Sequence, residues 1–294
     1  MPELPEVEIT ARLLDRALRG ARVESALAPG INALKTFAPP LSALEGEELL
    51  GVSRRGKKFV LGFSGELVLL VHLMSAGRLQ LYDKRAGPRD RTSRFLLRLR
   101  MPVGPDSEGD GDAGERELRL REFGSKQAAW VKLLAASALE QDESIAGLGP
   151  EAWPDTPELG VLLGVPRPLH ALLRDQHVIA GIGRSWVDEI LWAAKLSPYK
   201  RGADLDAAEL GELRDAIAAT LSGALASYEQ SVALPIPDKL PMPLRIHRHE
   251  GEPCPRCGTK LEAVHFEDYV IAYCPTCQTE GKVLKDRRLS RLLR

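Results

Sequence analysis

MPELPEVEITARLLDRALRG (1–20) opens the chain with two prolines and three glutamates in its first eight residues. Val7, Leu14 and Leu18, with Leu13 and Ala17 beside them, recur at helical spacing, so the stretch is predicted as a helix. Pro5 suits a first helical position, where its missing N–H is not needed. Glu6 and Glu8 suit the positive end of a helix, and Gly20 suits a left-handed stop. Pro2 and Glu3 then lie at the least ordered point of a chain. Two readings follow: a capped helix end, or a reactive site made from the N-terminus itself.

Outward from this helix the pattern changes to short β-rich or alternating runs. They are VESALA (23–28), ELLGVSRR (48–55), KKFVLGF (57–63), LVLLVHL (67–73), GRLQLY (77–82), RFLLRLRM (94–101), ELRLREF (117–123) and AAWVKLL (128–134). PVGPDSEGDGDAGE (102–115) is glycine-rich and acidic with no apolar anchor, and is predicted as a mobile loop between two strands. After about residue 137 the chain turns helical, with PRPLHALLRDQHV (166–178) and RSWVDEILWAAKL (184–196) joined by IAGIG (179–183). In the helix predicted from DAAELGELRDAIAATLSGALASY (206–228), Leu210, Leu213, Ile217, Leu221 and Leu225 share one face. ALPIPDKLPMPLRIH (233–247) carries four prolines and reads as an extended connector.

With 294 residues, 44% of them hydrophobic, the chain can bury one large or two medium cores. A formal net charge of −1 excludes a wholly basic DNA-coating protein but leaves room for a local basic face. No stretch resembles a secretory signal or a membrane span, so a soluble intracellular protein is expected.

The four cysteines form two pairs, Cys254/Cys257 and Cys274/Cys277, separated by 16 residues that can form a β-hairpin. Four thiolates favour one tetrahedral Zn2+ with no open position, hence a structural site; iron is the alternative metal for this spacing. In the IAGIG turn, Gly181 and Gly183 permit unusual backbone angles or close approach. The amides that open the following helix, with Arg184, could hold a phosphate.

Together these residues resemble the formamidopyrimidine-DNA glycosylase / endonuclease VIII family of base-excision repair enzymes. The resemblance rests on PELPEVE at the N-terminus, RRGKKF (54–59), HLMSAGRL (72–79), DQHVIAGIGRSWVDEIL (175–191), and GEPCPRCG with YCPTCQ, in family order. It implies an α+β multidomain fold. An N-terminal helix and two-layer β-sandwich would form the catalytic domain (1–137). A helix–two-turn–helix DNA-binding domain would span 138–232, and a linker, zinc-finger β-hairpin and basic tail 233–294. Double-stranded DNA containing damaged bases or abasic sites is the implied partner, bound by a monomer with one structural zinc and no membrane association. The implied location is the bacterial cytoplasm at the nucleoid, or a nucleus or organelle.

For the chemistry, the resemblance makes Pro2, once Met1 is removed, a secondary-amine nucleophile for a sugar C1′. An α-amino group has a reference pKa of about 7.7–8, close enough to neutrality to supply free amine. Glu3 resembles the general acid/base, Glu6 a second glutamate that holds the site, and Lys57 a clamp on phosphates beside the lesion. Met74, Arg121 and Phe123 would fill the hole left by a flipped base, with Met74 or Ser75 in the methionine slot. Gly183 and Arg184 would meet phosphate.

Three positions depart from the family pattern. Arg184 stands where an asparagine is usual. Tyr269 stands where the finger usually carries a phosphate-clamping arginine. The proline-rich connector replaces a glycine-rich loop, which favours oxidised pyrimidines or abasic sites over 8-oxoguanine. The basic tail after Cys277 could add phosphate contacts. Two other functions compete with the glycosylase reading: a damage-binding scaffold with weak or lost turnover, and an RNA-binding zinc ribbon. The last leaves the N-terminal motif unexplained.

Overall fold

Helix α1 spans Leu4–Leu18, and Glu3 caps its start in an extended conformation. The helix begins at Leu4, so Pro5 occupies the second helical position, one later than the sequence suggested. The N–H it lacks is still one of the first-turn donors with no intrahelical partner. At the other end the Arg19 amide donates to Asp15 O at 3.0 Å, and Gly20 takes φ +84, as a left-handed stop requires. Leu4, Val7, Ala11, Leu14 and Leu18 form the buried face.

The computed structural model describes residues 2–87, 90–102, 114–123 and 127–285. The chain divides into two compact units, Met1–Gly147 with Tyr228–Leu240, and Leu148–Ser227 with Pro241–Arg294.

In the first unit each of the eight strand-like runs forms a strand: β1 Arg22–Leu27, β2 Leu49–Arg55, β3 Lys58–Phe63, β4 Leu67–His72, β5 Gly77–Tyr82, β6 Ser93–Arg100, β7 Glu115–Glu122 and β8 Trp130–Ala135. They assemble into two antiparallel four-stranded sheets, β1-β6-β7-β5 and β2-β3-β4-β8. Leu61, Phe59 and Val71 of one sheet and Phe95, Leu97 and Leu118 of the other share a single apolar cluster with Leu14 and Leu18 of α1. That is the two-layer sandwich. Phe59 is fully buried there, and its truncation to alanine would cost about 3–5 kcal/mol. A short helix α2, Glu143–Ala146, is capped by the Asp142 side chain on the Ser144 amide. Residues 103–113 of the predicted acidic loop lie outside the described residues.

The second unit holds α3 Leu159–Leu163, α4 Leu169–Arg174, α5 Arg184–Ala193, most of α6 Ala207–Ser231, the hairpin β9 Glu262–His265 and β10 Val270–Tyr273, and α7 Pro275–Thr279. The helix predicted over 166–178 is shorter than expected. Asp175 is extended, and its carboxylate accepts the His177 amide at 3.1 Å, a side-chain turn that competes with the helix. The second predicted helix ends at Ala193, because Lys195 is left-handed (φ 57). Leu213, Ile217, Leu221 and Leu225 of α6 are buried as their spacing predicts, with Leu210 half-buried; Tyr228 is buried too.

The connector 233–247 has no helix or strand. Its Ile236 enters the sandwich core, and Gln80 Nε2 donates to Ile236 O (3.1 Å) and Asp238 Oδ1 (2.9 Å). Among the described residues no helix is long and apolar enough to cross a membrane.

Candidate functional site

At the start of α1, Pro2 is half-exposed, while Glu3 and Glu6 are only 2% and 4% exposed. A carboxylate so buried must be hydrogen-bonded. Glu6 Oε2 accepts the Glu3 amide at 2.8 Å, and Glu6 Oε1 accepts the Tyr228 hydroxyl at 2.7 Å. Burial, reinforced by the Glu6 and Glu3 charges, pushes the Tyr228 phenol above its ordinary pKa, so it stays protonated and donating. Tyr228 is only the last residue of the predicted helix 206–228 in the sequence, which carries no local signal of its pairing with Glu6.

One turn further along α1, Glu8 bridges Arg12 (2.7 Å) and Arg54 (2.8 Å). Arg54 belongs to β2, so this contact ties the start of α1 to the β2–β3 hairpin. The hairpin turns through Gly56 (φ 56) and Lys57, which is buried rather than a solvated turn charge. Lys58 lies opposite His72 in the β3–β4 register. Burial first, then the Lys58 and Lys57 charges, lower the His72 imidazole from 6.5 to about 4, so it is neutral at pH 7. His72 sits inside the HLMSAGRL motif but was not among the residues expected to act.

Met74 lies in the tight turn between β4 and β5 with a left-handed φ of 51 and is half-buried. The turn closes so tightly that a Cβ on Gly77 would lie 2.5 Å from Leu73 O. Gly77 pairs with Glu122, so this turn and the end of β7 sit at the same end of the sheet. Arg121 and Phe123 point to one face of that strand end. The guanidinium of Arg121 is 4.7 Å from the Phe123 ring centroid and donates to Thr92 Oγ1 (3.0 Å) and Tyr82 OH (2.6 Å). Phe123 is 43% exposed.

In the second unit Gly183 caps α5 and is buried; the left-handed glycine is Gly181 (φ 105). Gln176 staples the turn. Its Oε1 accepts the Gly181 amide at 3.0 Å, and its Nε2 donates to Ile182 O at 2.7 Å. Arg184, the first residue of α5, is exposed and pairs with Asp268, both through its carboxylate at 3.0 Å and through its carbonyl.

Tyr269 stacks on Phe266, with ring centroids 4.5 Å apart, and on His170 at 5.8 Å. His170 Nε2 lies 3.3 Å from Asp188 Oδ1. The other Asp188 oxygen meets His247 Nδ1 at 2.7 Å and the Ala272 amide at 2.9 Å. Glu189 Oε1 accepts the amides of Arg245, Ile246 and His247 at 2.9–3.1 Å. Two adjacent buried acids thus fix the finger on α5, a role whose only sequence signal was an Asp-Glu pair in an otherwise apolar helix.

The Sγ atoms of Cys254, Cys257, Cys274 and Cys277 all lie within 4.8 Å of one another, with Cys254–Cys277 at 4.0 Å and Cys257–Cys274 at 3.5 Å. Zinc–sulfur bonds of about 2.3 Å in a tetrahedron place sulfurs about 3.8 Å apart. The donor set fits one structural Zn2+ held by four thiolates. Trp192 Nε1 points at Cys254 Sγ (3.4 Å), and Ile246 and Leu261 pack against the knuckles. Of the basic tail, residues 286–294 lie outside the described residues.

Three family models match the chain: the formamidopyrimidine-DNA glycosylase N-terminal domain over residues 1–122, its H2TH domain over 162–235, and a zinc finger found in FPG and IleRS over 251–279. A formamidopyrimidine-DNA glycosylase of Moorella thermoacetica is 32% identical over 276 residues, covering 90% of this chain and 94% of the relative. An uncharacterized formamidopyrimidine-DNA glycosylase-like protein of Mycobacterium tuberculosis is 43% identical over 149 residues, covering 50% of this chain and 94% of its own. Lactococcus lactis Fpg, solved with DNA containing N7-benzyl-Fapy-dG, matches with a TM-score of 0.79 at 25% identity over 95% of this chain and 100% of that one. The chain belongs to the formamidopyrimidine-DNA glycosylase family.

Proposed function

We propose that this chain is a bifunctional DNA glycosylase and abasic-site lyase of base-excision repair, with Pro2 as its nucleophile. The observation that carries the proposal is Glu6, buried and hydrogen-bonded at both oxygens, which frames the N-terminal turn where Pro2 and Glu3 sit. Removal of Met1 makes the Pro2 nitrogen a secondary amine. Its lone pair attacks C1′ of the damaged nucleoside, and the base departs with the electrons of the glycosidic bond. Glu3 donates a proton to the sugar ring oxygen as the ring opens to an iminium. The iminium acidifies the C2′ proton; its loss expels the 3′ phosphate by β-elimination, and δ-elimination can follow. The buried Lys57 and the Gly183–Arg184 helix start hold phosphates. Met74, Arg121 and Phe123 occupy the space of the flipped base, whose extrusion costs a few kcal/mol. The proline-rich connector supports oxidised pyrimidines and abasic sites as the preferred lesions.

Borohydride trapping tests this. Protein incubated with an abasic-site duplex and borohydride is expected to form a covalent adduct that a Pro2→Gly variant does not form. Tyr269 in place of a finger arginine favours a second reading, a damage-binding scaffold without efficient turnover. Tight, salt-sensitive binding with no adduct would establish that reading and exclude the first.

A further inference from the structure

Arg174 ends α4 with its guanidinium carbon 4.1 Å from the centroid of the Tyr269 ring. Its Nε is buried with no hydrogen-bond partner, and among the described residues its side chain makes no ion pair. Arg184 also lies near this ring, at 5.8 Å, and pairs with Asp268 at the surface. The acid that follows Arg174 in sequence, Asp175, is committed to Arg167 at 3.2 Å. The neighbourhood therefore holds two guanidiniums and the amide end of α5, with Asp175 and Asp268 engaged by other arginines.

A half-buried cation with idle donors is expensive unless an anion completes it. With its carbon held over the Tyr269 ring and its Nε buried, the guanidinium can still offer its two terminal nitrogens, the groups with which arginine grips phosphate oxygens in pairs. The platform is itself rigid. Tyr269 lies flat on Phe266 (interplanar angle 9°) and on His170 (13°), and His170 is held against the buried Asp188. An arginine on the finger would reach a phosphate on its own flexible stem. Here the cation comes from α4 and the finger supplies the surface that aims it.

We infer that Arg174, stacked on Tyr269, is a DNA phosphate-binding residue, and that the pair performs the contact expected of a finger arginine. The assignment rests on the reading that the chain binds damaged duplex DNA.

The test uses full-length, zinc-loaded protein and a duplex carrying a tetrahydrofuran abasic analogue, with anisotropy titrations between about 50 and 200 mM salt. Arg174→Ala is expected to weaken binding about tenfold or more and to reduce the slope of log affinity against log salt by about 0.9. Arg174→Lys is expected to restore the slope but only part of the affinity, because an ammonium lacks the paired donors. Tyr269→Leu is expected to weaken binding while leaving the slope nearly intact, since it removes no charge. Tyr269→Arg in the Arg174→Ala background is expected to recover both. If Arg174→Ala loses zinc, Arg174→Gln, which keeps a planar amide against the ring, serves in its place. Wild-type binding that is matched within twofold, with the same slope, by the folded Arg174 variant overturns the assignment alone. Wild-type protein that does not bind the duplex overturns the DNA reading, and this assignment with it.

Discussion

His72 gives the chain a pH dependence that can be worked out in advance. It ends β4, with Lys58 opposite on one side and Trp130 opposite on the other, and its ring lies 5.5 Å from the Trp130 ring. Burial and the two lysines hold its folded-state pKa at about 4 against an ordinary 6.5. A base depressed in this way binds fewer protons folded than unfolded between those two values. Its contribution is therefore intact above pH 6.5, falls as the pH drops, and is fully lost near pH 4. At about 1.4 kcal/mol per pH unit, the loss amounts to about 3 kcal/mol. Urea unfolding of the wild type and of His72→Gln, compared at pH 7 and pH 4, should show their stability difference moving by about that amount in favour of the variant. Histidine Cε1 shifts followed by NMR should place one midpoint near 4. A His72 midpoint near 6.5, or a stability difference that does not change with pH, would show that burial and the two lysines do not depress this imidazole.

Tyr228→Phe strips one hydrogen bond from the buried Glu6 carboxylate and should cost about 1.5–3 kcal/mol in urea unfolding, with a reduced yield of trapped adduct at unchanged zinc content. Asp188→Ala removes the acceptor shared by His247 Nδ1 and the Ala272 amide and should destabilise the second unit by about 1–3 kcal/mol, read as faster amide exchange in β9 and β10. Cys254→Ser should lose zinc by atomic absorption and lose DNA binding with it; full metal content would contradict the four-thiolate site. Intact-mass measurement should find Met1 absent, since a retained Met1 leaves no amine on Pro2.

Local signals carried much of the fold. All eight strand runs were legible because alternation over six to eight residues meets a half-buried sheet, and the cysteine spacing alone brought four sulfurs to one point. Helix length was less legible. Asp175 reads as an ordinary polar residue in a helical run until its carboxylate is seen closing a turn. The side-chain partnerships within each unit are the least legible, because they join residues far apart in sequence. Glu6 meets Tyr228 across 222 positions, and Ala272 meets Asp188 across 84. Tyr269 looked like the loss of a charge, because sequence shows the residue that left the finger and not the arginine that α4 brings to it.

The return of the chain to its own beginning has a temporal side. During synthesis α1 and the eight strands are made first, yet Tyr228 and Ile236, which complete the frame of Glu6 and the core of the sandwich, are made only after the bulk of the second unit. A ribosome-bound chain that has reached only Gly147 would carry the Glu6 carboxylate without the hydroxyl that fastens it. The frame of Glu6 is therefore completed late, once most of the second unit has been made.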